Sequence, residues 1–407
     1  MSKLTELINE LCPNGIRYKR LEDITKSVNI GINPRKFFKL NPDDATGFYV
    51  TVRELNGLNG VNQTEKTDLI NDEAINIIQN RANIENGDIL FSNTGTVGKM
   101  ALVNYEVLNW GVNEGIFVIK PNKEIIDSKF LYYYLDSNLA YADYSKMFTG
   151  STMKHITQKA LLSISIPVPP LNVQAEIVRI LDAFTSLSAE LLNEMKARQK
   201  QYEYYKHKLL EYEPDDTKIE WVNLGECCKR LKGTAITAGQ MKKIACENGE
   251  VRIFAGGKTV VDTKPENINR QDIITIPNII VQSRGIIDFI YYEKPCSFKR
   301  EMWSYTNSNK TTLKYIYYYL KKNVEFFRKR GSQMGSMPQI SLEITEKYKI
   351  PMPSIEEQEQ IVNVLEKFDK LCNDTTYGLP AEIEKRQQQY EHYRDSLLSF
   401  KEVTAYE

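Results

Sequence analysis

The glycine-rich segments of this 407-residue chain are the first places to look for chemistry. Gly256-Gly257-Lys258-Thr259 ends like a phosphate-cradling loop, in which glycine amides wrap phosphate oxygens and a lysine reaches them. That motif needs a glycine six residues before the lysine, and position 252 is Arg252. Gly95 to Lys99 fails the same test at Asn93. No Gly-x-Gly-x-x-Gly follows a strand-like run, so the dinucleotide fingerprint is missing. Neither Asn-Pro-Pro-Tyr nor Asp-Pro-Pro-Tyr occurs, so no adenine-methyltransferase tetrad is visible, and no Asp…Glu-x-Lys set stands out for metal-assisted phosphodiester cleavage. The three histidines, His155, His207 and His392, and six cysteines without a Cys-x-x-Cys offer no zinc-ligand spacing. The residues therefore predict no catalytic group and no metal site.

What remains is binding chemistry. Four polar loops carry flanking glycines: Ser92 to Lys99, Gly150 to His155, Val281 to Gly285, and Gly331 to Gln339. Such loops present amides to phosphates, and Arg, Lys, Asn and Gln to base edges. The candidate DNA-contacting residues are Asn93, Thr94, Lys99, Lys154 and His155 in the first half. In the second half they are Lys258, Arg284, Lys299, Arg300, Gln333, Ser336 and Gln339. Taken singly, each loop is as well explained by a plain turn; together they recur beside the same landmarks in both halves.

A formal net charge of zero hides an uneven distribution. Residues 225–335 hold 20 Lys and Arg against 10 Asp and Glu, an excess of 10, while residues 15–150 hold 15 against 17. A basic block of this kind fits a polyanionic partner. No apolar run is long enough to cross a bilayer, and no secretory leader is readable. Unpaired-looking cysteines fit a reducing compartment, so the expected location is cytoplasmic, with no membrane partner.

The elements that must position these loops show an internal repeat. Ile166-Pro167-Val168-Pro169 returns as Ile350-Pro351-Met352-Pro353, followed at the same distance by Gln174 and Gln358, then Ile177-Val178 and Ile361-Val362. Arg198-Gln199 returns as Arg386-Gln387, with four extra residues near Tyr377 to Pro380 in the second copy. Upstream, Phe130 to Leu135 matches Tyr315 to Leu320, and Ile16-Arg17-Tyr18 matches Ile219-Glu220-Trp221. The tails alternate apolar residues by four and three, the seam of a coiled coil. The first seam runs Ile177, Leu181, Phe184, Ser188, Leu191, Met195, Arg198, Tyr202, Tyr205, Leu209. The second runs Ile361, Leu365, Phe368, Cys372, Leu379, Ile383, Arg386, Tyr390, Tyr393, Leu397. The residues expected to carry helix pairing are Leu181, Phe184, Leu191, Tyr202, Leu209, Leu365, Phe368, Ile383, Tyr390 and Leu397. Pairing between the tails is preferred over each tail packing on its own body, because the stripe is narrow. Gly378 and Pro380 predict a break, and Ser354 with Glu357 a capping box. The tyrosine-rich pieces read as core helices rather than as base-stacking surface.

These landmarks resemble the specificity subunit of type I restriction–modification systems. The carrying residues are the paired Ile-Pro-x-Pro…Gln…Ile-Val segments, the paired Arg-Gln…Gln-Tyr-Glu…Tyr…Leu-Leu tails, and Gly378-Leu379-Pro380-Ala381-Glu382-Ile383. Gly87-Asp88-Ile89-Leu90 with its following glycines, and Val281-Gln282-Ser283-Arg284-Gly285, also fit. The resemblance implies an α+β chain with two mixed α/β target-recognition domains, separated by an antiparallel coiled coil of two long helices in a pseudo-two-fold repeat. The implied domains are 1–165 and 214–349 for target recognition, with 166–213 and 350–407 as the helical regions. It implies a non-catalytic subunit that reads a two-part site in double-stranded DNA. Two methyltransferase subunits and two restriction endonuclease/translocase subunits would be its partners. S-adenosylmethionine, ATP and Mg would belong to those partners, and no cofactor to this chain. A DNA-independent coiled-coil scaffold and a self-contained DNA methyltransferase are the competing readings.

Overall fold

A computed structural model describes residues 3–106, 109–213, 219–257, 259–331 and 338–403. The chain divides into two compact units. Met1–Glu190 with Ile383–Glu407 forms the first, and Leu191–Glu382 the second. Five helices organise the packing: α1 (Ser128–Leu135), α2 (Leu171–Leu209), α3 (Lys310–Lys322), α4 (Ile355–Asn373) and α5 (Leu379–Leu398). The dividing points fall inside α2 and α5, not at the ends of the helical tails.

Among the described residues the first unit holds nine strands: β1 (Tyr18–Arg20), β2 (Thr25–Ile30), β3 (Gly47–Val50), β4 (Asp68–Ile70), β5 (Ile89–Ser92), β6 (Met100–Leu102), β7 (Trp110–Val112), β8 (Ile116–Pro121) and β9 (Ser165–Pro167). They form an antiparallel sheet of order β2-β8-β5-β6, a sheet β4-β3-β7 whose β3–β7 pair is parallel, and the ribbon β1-β9. The second unit holds β10 (Glu220–Asn223), β11 (Lys229–Lys232), β12 (Val251–Phe254), β13 (Val260–Thr263), β14 (Asn278–Gln282), β15 (Asp288–Tyr292), β16 (Cys296–Phe298), β17 (Trp303–Thr306) and β18 (Lys349–Met352). Its sheets are β11-β17-β14-β15, β13-β12-β16 with β12–β16 parallel, and β10-β18. Strand for strand, the second unit repeats the first.

The repeat landmarks have a plain structural purpose. Tyr18 lies opposite Pro167 in β1-β9, and Trp221 opposite Pro351 in β10-β18, so the two matching segments of each half pair with each other. Gln174 is fully buried; its amide nitrogen donates to the carbonyls of Ile125 and Pro169, and its oxygen accepts from the Asp127 amide. Gln358 donates to the Pro353 carbonyl in the same way. An apolar residue at that site would leave a buried proline carbonyl unpaired, at a cost of about 1–3 kcal/mol.

The central sheets are buried on both faces. Ile89 and Phe91 pack with Phe130 and Tyr133 of α1, whereas Leu90 packs with Val50, Trp110 and Val112 of the smaller sheet. In the second unit Ile279 and Val281 meet Tyr315 and Leu320 of α3, and Ile280 meets Phe254 and Phe298. The tyrosine-rich helices are core, as expected.

The seams place their residues within each unit. In the first, Phe184 stacks on Tyr393 with ring centroids 5.5 Å apart, and Leu181 is buried with Leu398, Leu397 and Tyr390 around it. In the second, Phe368 stacks on Tyr205 at 5.5 Å and Tyr202 at 6.2 Å, and Leu365 is buried. The Thr185 hydroxyl reaches Tyr390, and the Arg198 charge is felt at Cys372, so α2 runs antiparallel to its neighbour in each unit. Leu191, Leu209 and Ile383 are half-buried, as are Ser188, Met195, Arg198 and Leu379. One position differs from the expected seam: Arg386 is exposed. Tyr393 is 43% exposed yet keeps its stacking on Phe184, and Arg394, outside the expected seam, is buried by its ion pair with Asp136. Ser354 caps α4, its hydroxyl accepting the Glu357 amide at 3.2 Å, which is one half of the expected capping box; among the described residues the reciprocal bond to the Glu357 carboxylate is not formed.

Candidate nucleic-acid interface

In the first unit two of the four candidate loops are joined. The turn after β5 and the segment before β9 form a short ladder in which Thr94 faces His155. The Gly95 amide donates to the Lys154 carbonyl at 3.0 Å, and the Ile156 amide to the Asn93 carbonyl at 2.9 Å. The second unit repeats this with different residues. Arg284 faces Gln339, the Gly285 amide donates to the Pro338 carbonyl at 2.8 Å, and the Ile340 amide to the Ser283 carbonyl at 2.9 Å. Gly95 and Gly285 both sit at positive φ, +73° and +78°, where a side chain is strained. Two loops far apart in sequence thus make one surface in each unit. Nothing but the repeated glycine hinted at this in the residues alone.

The candidate residues divide by what their side chains do. Thr94 is half-buried, while Lys154, His155, Arg284, Arg300 and Gln339 are exposed. His155 is held by the Thr149 hydroxyl, 2.8 Å from Nε2, and Lys154 lies over the Phe148 ring. Lys299 pairs with Glu301 at 2.5 Å, and burial, which would raise the Glu301 carboxyl, is outweighed by Lys299 and the nearby Arg284 charge, leaving it below its usual range. Asn93 is turned inward: its amide donates to the Glu114 carbonyl at 2.9 Å. The equivalent Ser283 donates to the Glu301 carbonyl at 3.1 Å, so this position is a strut in both units. Lys99 is spent on the chain as well, its ammonium donating to the carbonyls of Val52 at 2.7 Å and Arg53 at 3.2 Å. Lys258, Gln333 and Ser336 lie outside the described residues.

Around Arg284 the second unit opens a cavity of about 530 Å³, walled by Gly256, Gly257, Gly285, Lys242, Lys299 and Glu301. Its floor is apolar, from Met241, Ala255 and Val261. Positive groups on a rim above an apolar floor suit a partner that brings both phosphate and base. Among the described residues no cluster of three or more His, Cys, Asp or Glu could hold a metal ion, and no helix is long and apolar enough to cross a membrane.

A family model described as the type I restriction modification DNA specificity domain matches residues 13–198 and again 217–385. The EcoR124I/EcoR124II type I restriction enzyme specificity subunit of Escherichia coli is 35% identical over 304 residues, covering 69% of this chain and 72% of that protein. A putative type I restriction enzyme specificity subunit of Haemophilus influenzae is 30% identical over 333 residues, covering 74% and 81%. Among solved structures, the S subunit of a type I restriction–modification system from M. genitalium superposes with a TM-score of 0.55 at 18% identity, over 94% of this chain and 95% of that one. A chain from a study of complex assembly and conformational transition of the type I R-M system superposes with a TM-score of 0.62 at 17% identity, over 95% and 98%. Both structural likenesses bear on the fold.

Proposed function

Because the chain belongs to the type I restriction–modification DNA specificity family, we propose that its two units each read one half of a two-part site in double-stranded DNA. The observation that carries this reading is the duplicated loop ladder, Thr94 against His155 and Arg284 against Gln339, built by different residues on one backbone plan. A common plan with divergent side chains is what two reading heads for two different sequences require. On this reading the chain directs partners and performs no chemistry itself. Two methyltransferase subunits and two endonuclease/translocase subunits assemble on it in the cytoplasm. S-adenosylmethionine, ATP and Mg are theirs, since no motif of this chain would cradle a nucleotide or cofactor.

Methylome sequencing of cells with and without this chain tests the reading. A single two-part motif that vanishes with the chain is expected. Retention of the motif without it, or transfer of methyl groups to DNA by the purified chain alone, would overturn it. Binding of the complex should weaken steeply with salt, as counterions released from phosphates are recaptured. Salt-independent association, or none, would favour a scaffold.

A further inference from the structure

The two units anchor one equivalent carbonyl by different side chains. Three residues beyond the end of β3 lies Arg53, and three beyond the end of β12 lies Gly257. The Arg53 carbonyl accepts from the Lys99 ammonium at 3.2 Å; the Gly257 carbonyl accepts from the Gln282 amide at 2.6 Å. Both donors come from the end or turn of the hairpin that carries the loop ladder. In the second unit the two loops touch, since a Cβ built on Gly285 would lie 3.9 Å from the Gly257 nitrogen.

The loop of the first unit is built for a purpose beyond linking strands. Glu54 is buried, 1% exposed, yet its carboxylate accepts from the Thr51 amide at 2.8 Å, the Thr51 hydroxyl at 2.7 Å and the Thr67 hydroxyl at 3.1 Å. A buried carboxylate costs several kilocalories unless so satisfied, so the turn is held in one shape. Lys99 fixes the other side through the Val52 and Arg53 carbonyls. Arg53 stands on this rigid turn with its side chain 55% exposed. Its restraints are loose: Thr51 Oγ1 at 3.4 Å, Glu54 at 3.5 Å and Asp68 at 3.6 Å. These contacts are long, and more than half of the side chain stays open to solvent. In the second unit the residue at this place is glycine, and the arginine comes instead from the hairpin, as Arg284, where the first unit has Thr94.

We propose that Arg53 is the base-reading arginine of the first unit, the functional counterpart of Arg284 in the second, and that Lys99 is its positioning residue. The inference rests on the two-headed reading of DNA given above. A planar fork on a pre-shaped turn suits bidentate contact with a guanine edge in the major groove. It also adds a cation, besides the exposed Lys154, to a first half that is slightly acidic overall.

The test compares methylomes of cells carrying the full system with wild-type chain, Arg53→Ala, Arg53→Lys, Lys99→Met and Arg284→Ala. Arg53→Ala is expected to lower discrimination at one base pair of one half-site by about tenfold to a hundredfold, leaving the other half intact. Arg284→Ala should relax the opposite half. Arg53→Lys should keep overall affinity but lose the discrimination, because an ammonium cannot make the fork. Lys99→Met should relax the same base pair as Arg53→Ala with Arg53 still present, and Lys99→Arg should restore it. An unchanged motif with Arg53→Ala, or a uniform loss over all sequences with a shallower salt slope, would overturn base reading by Arg53. An unchanged motif with Lys99→Met would overturn its positioning role. A wild-type system that methylates no two-part site would overturn the two-headed reading and this inference together, which sets that failure apart from the others.

Discussion

Arg394 donates to the Asp136 carboxylate at 2.8 Å, joining α5 to the residue that ends α1 within one compact unit. Burial holds the Asp136 carboxyl above the usual carboxylate range, and the Arg394 charge pulls it only part of the way back. Arg394→Met would leave that carboxylate without its partner. Breaking a fully buried pair costs about 3–5 kcal/mol, and the partial exposure of Asp136 reduces this to about 2–3 kcal/mol. Urea denaturation should register the loss, with the Asp136 carboxyl moving further up; unchanged stability would show that solvent replaces the arginine.

Glu176 gives a dependence on acidity. The Arg179 guanidinium accounts for most of its shift, with Lys3 adding to it against the cost of burial, and together they hold the carboxyl at about 2 rather than the ordinary 4.5. A carboxylate depressed in the folded state stabilises it above the unfolded value, and that contribution disappears as pH falls from 4.5 toward 2. Glu176→Gln should therefore lower stability at neutral pH and flatten the acid limb in that window. Melting temperatures measured across it would reveal identical acid limbs if the ion pair contributes nothing.

Gly95 separates conformation from packing. A Cβ there would meet no atom within 4 Å, so Gly95→Ala is penalised by the backbone alone, by about 1–2 kcal/mol. Gly95→Asn, which tolerates positive φ, should recover most of it. The expected readout is weakened recognition of one half-site in the alanine variant, with near-normal recognition in the asparagine variant. Equal behaviour of the two would mean that the loop has shifted to another shape.

Phe368 tests the seam of the second unit. Its ring stacks on both Tyr202 and Tyr205. Phe368→Ala should cost about 2–3 kcal/mol, less than a fully enclosed phenylalanine because the ring is only half-buried. Phe368→Leu, which keeps apolar volume, should cost roughly half as much.

What the residues alone made legible was the part under strict spacing rules. A coiled seam fixes an apolar residue every three or four positions, and Gln174 and Gln358 must sit where proline carbonyls need a donor. The apolar runs of β5 and β14 read as strands, but the shared plan of the two bodies was hidden, because strands of three residues such as β4, β6 and β7 are too short to show alternation of apolar with polar residues. Lys99 drew attention as a lysine after a glycine-rich turn, yet its charge is turned onto the backbone. Arg53 was passed over because the Glu54 turn that presents it has no spacing signature; a buried carboxylate reveals itself only once its donors are placed. Arg394 was missed because its partner, Asp136, lies far away in sequence, and position 394 falls outside the seam pattern.

The two termini of the described chain are tied within the first unit. The Ile16 amide donates to the Lys401 carbonyl at 2.8 Å, and the Val403 amide to the Ile16 carbonyl at 3.1 Å. A chain ending at Phe400 would leave both Ile16 groups to water. Its first unit should melt earlier, by the roughly 2 kcal/mol that two such bonds contribute. Differential scanning calorimetry of the two lengths would expose an unchanged transition if the bridge is idle.

That tie reverses the usual schedule of synthesis. Domains generally fold in the order in which they leave the ribosome. Here Leu191–Glu382 is one contiguous stretch, whereas the first unit draws on both Met1–Glu190 and Ile383–Glu407. The unit encoded in the middle therefore has every residue it needs before the unit encoded at the start does. Until the last stretch emerges, Tyr133, Leu181 and their neighbours wait without Tyr390 and Leu398 against them. A nascent chain is consequently at its most vulnerable to proteases and to aggregation through the half that was made first, for nearly the whole time taken to translate the other.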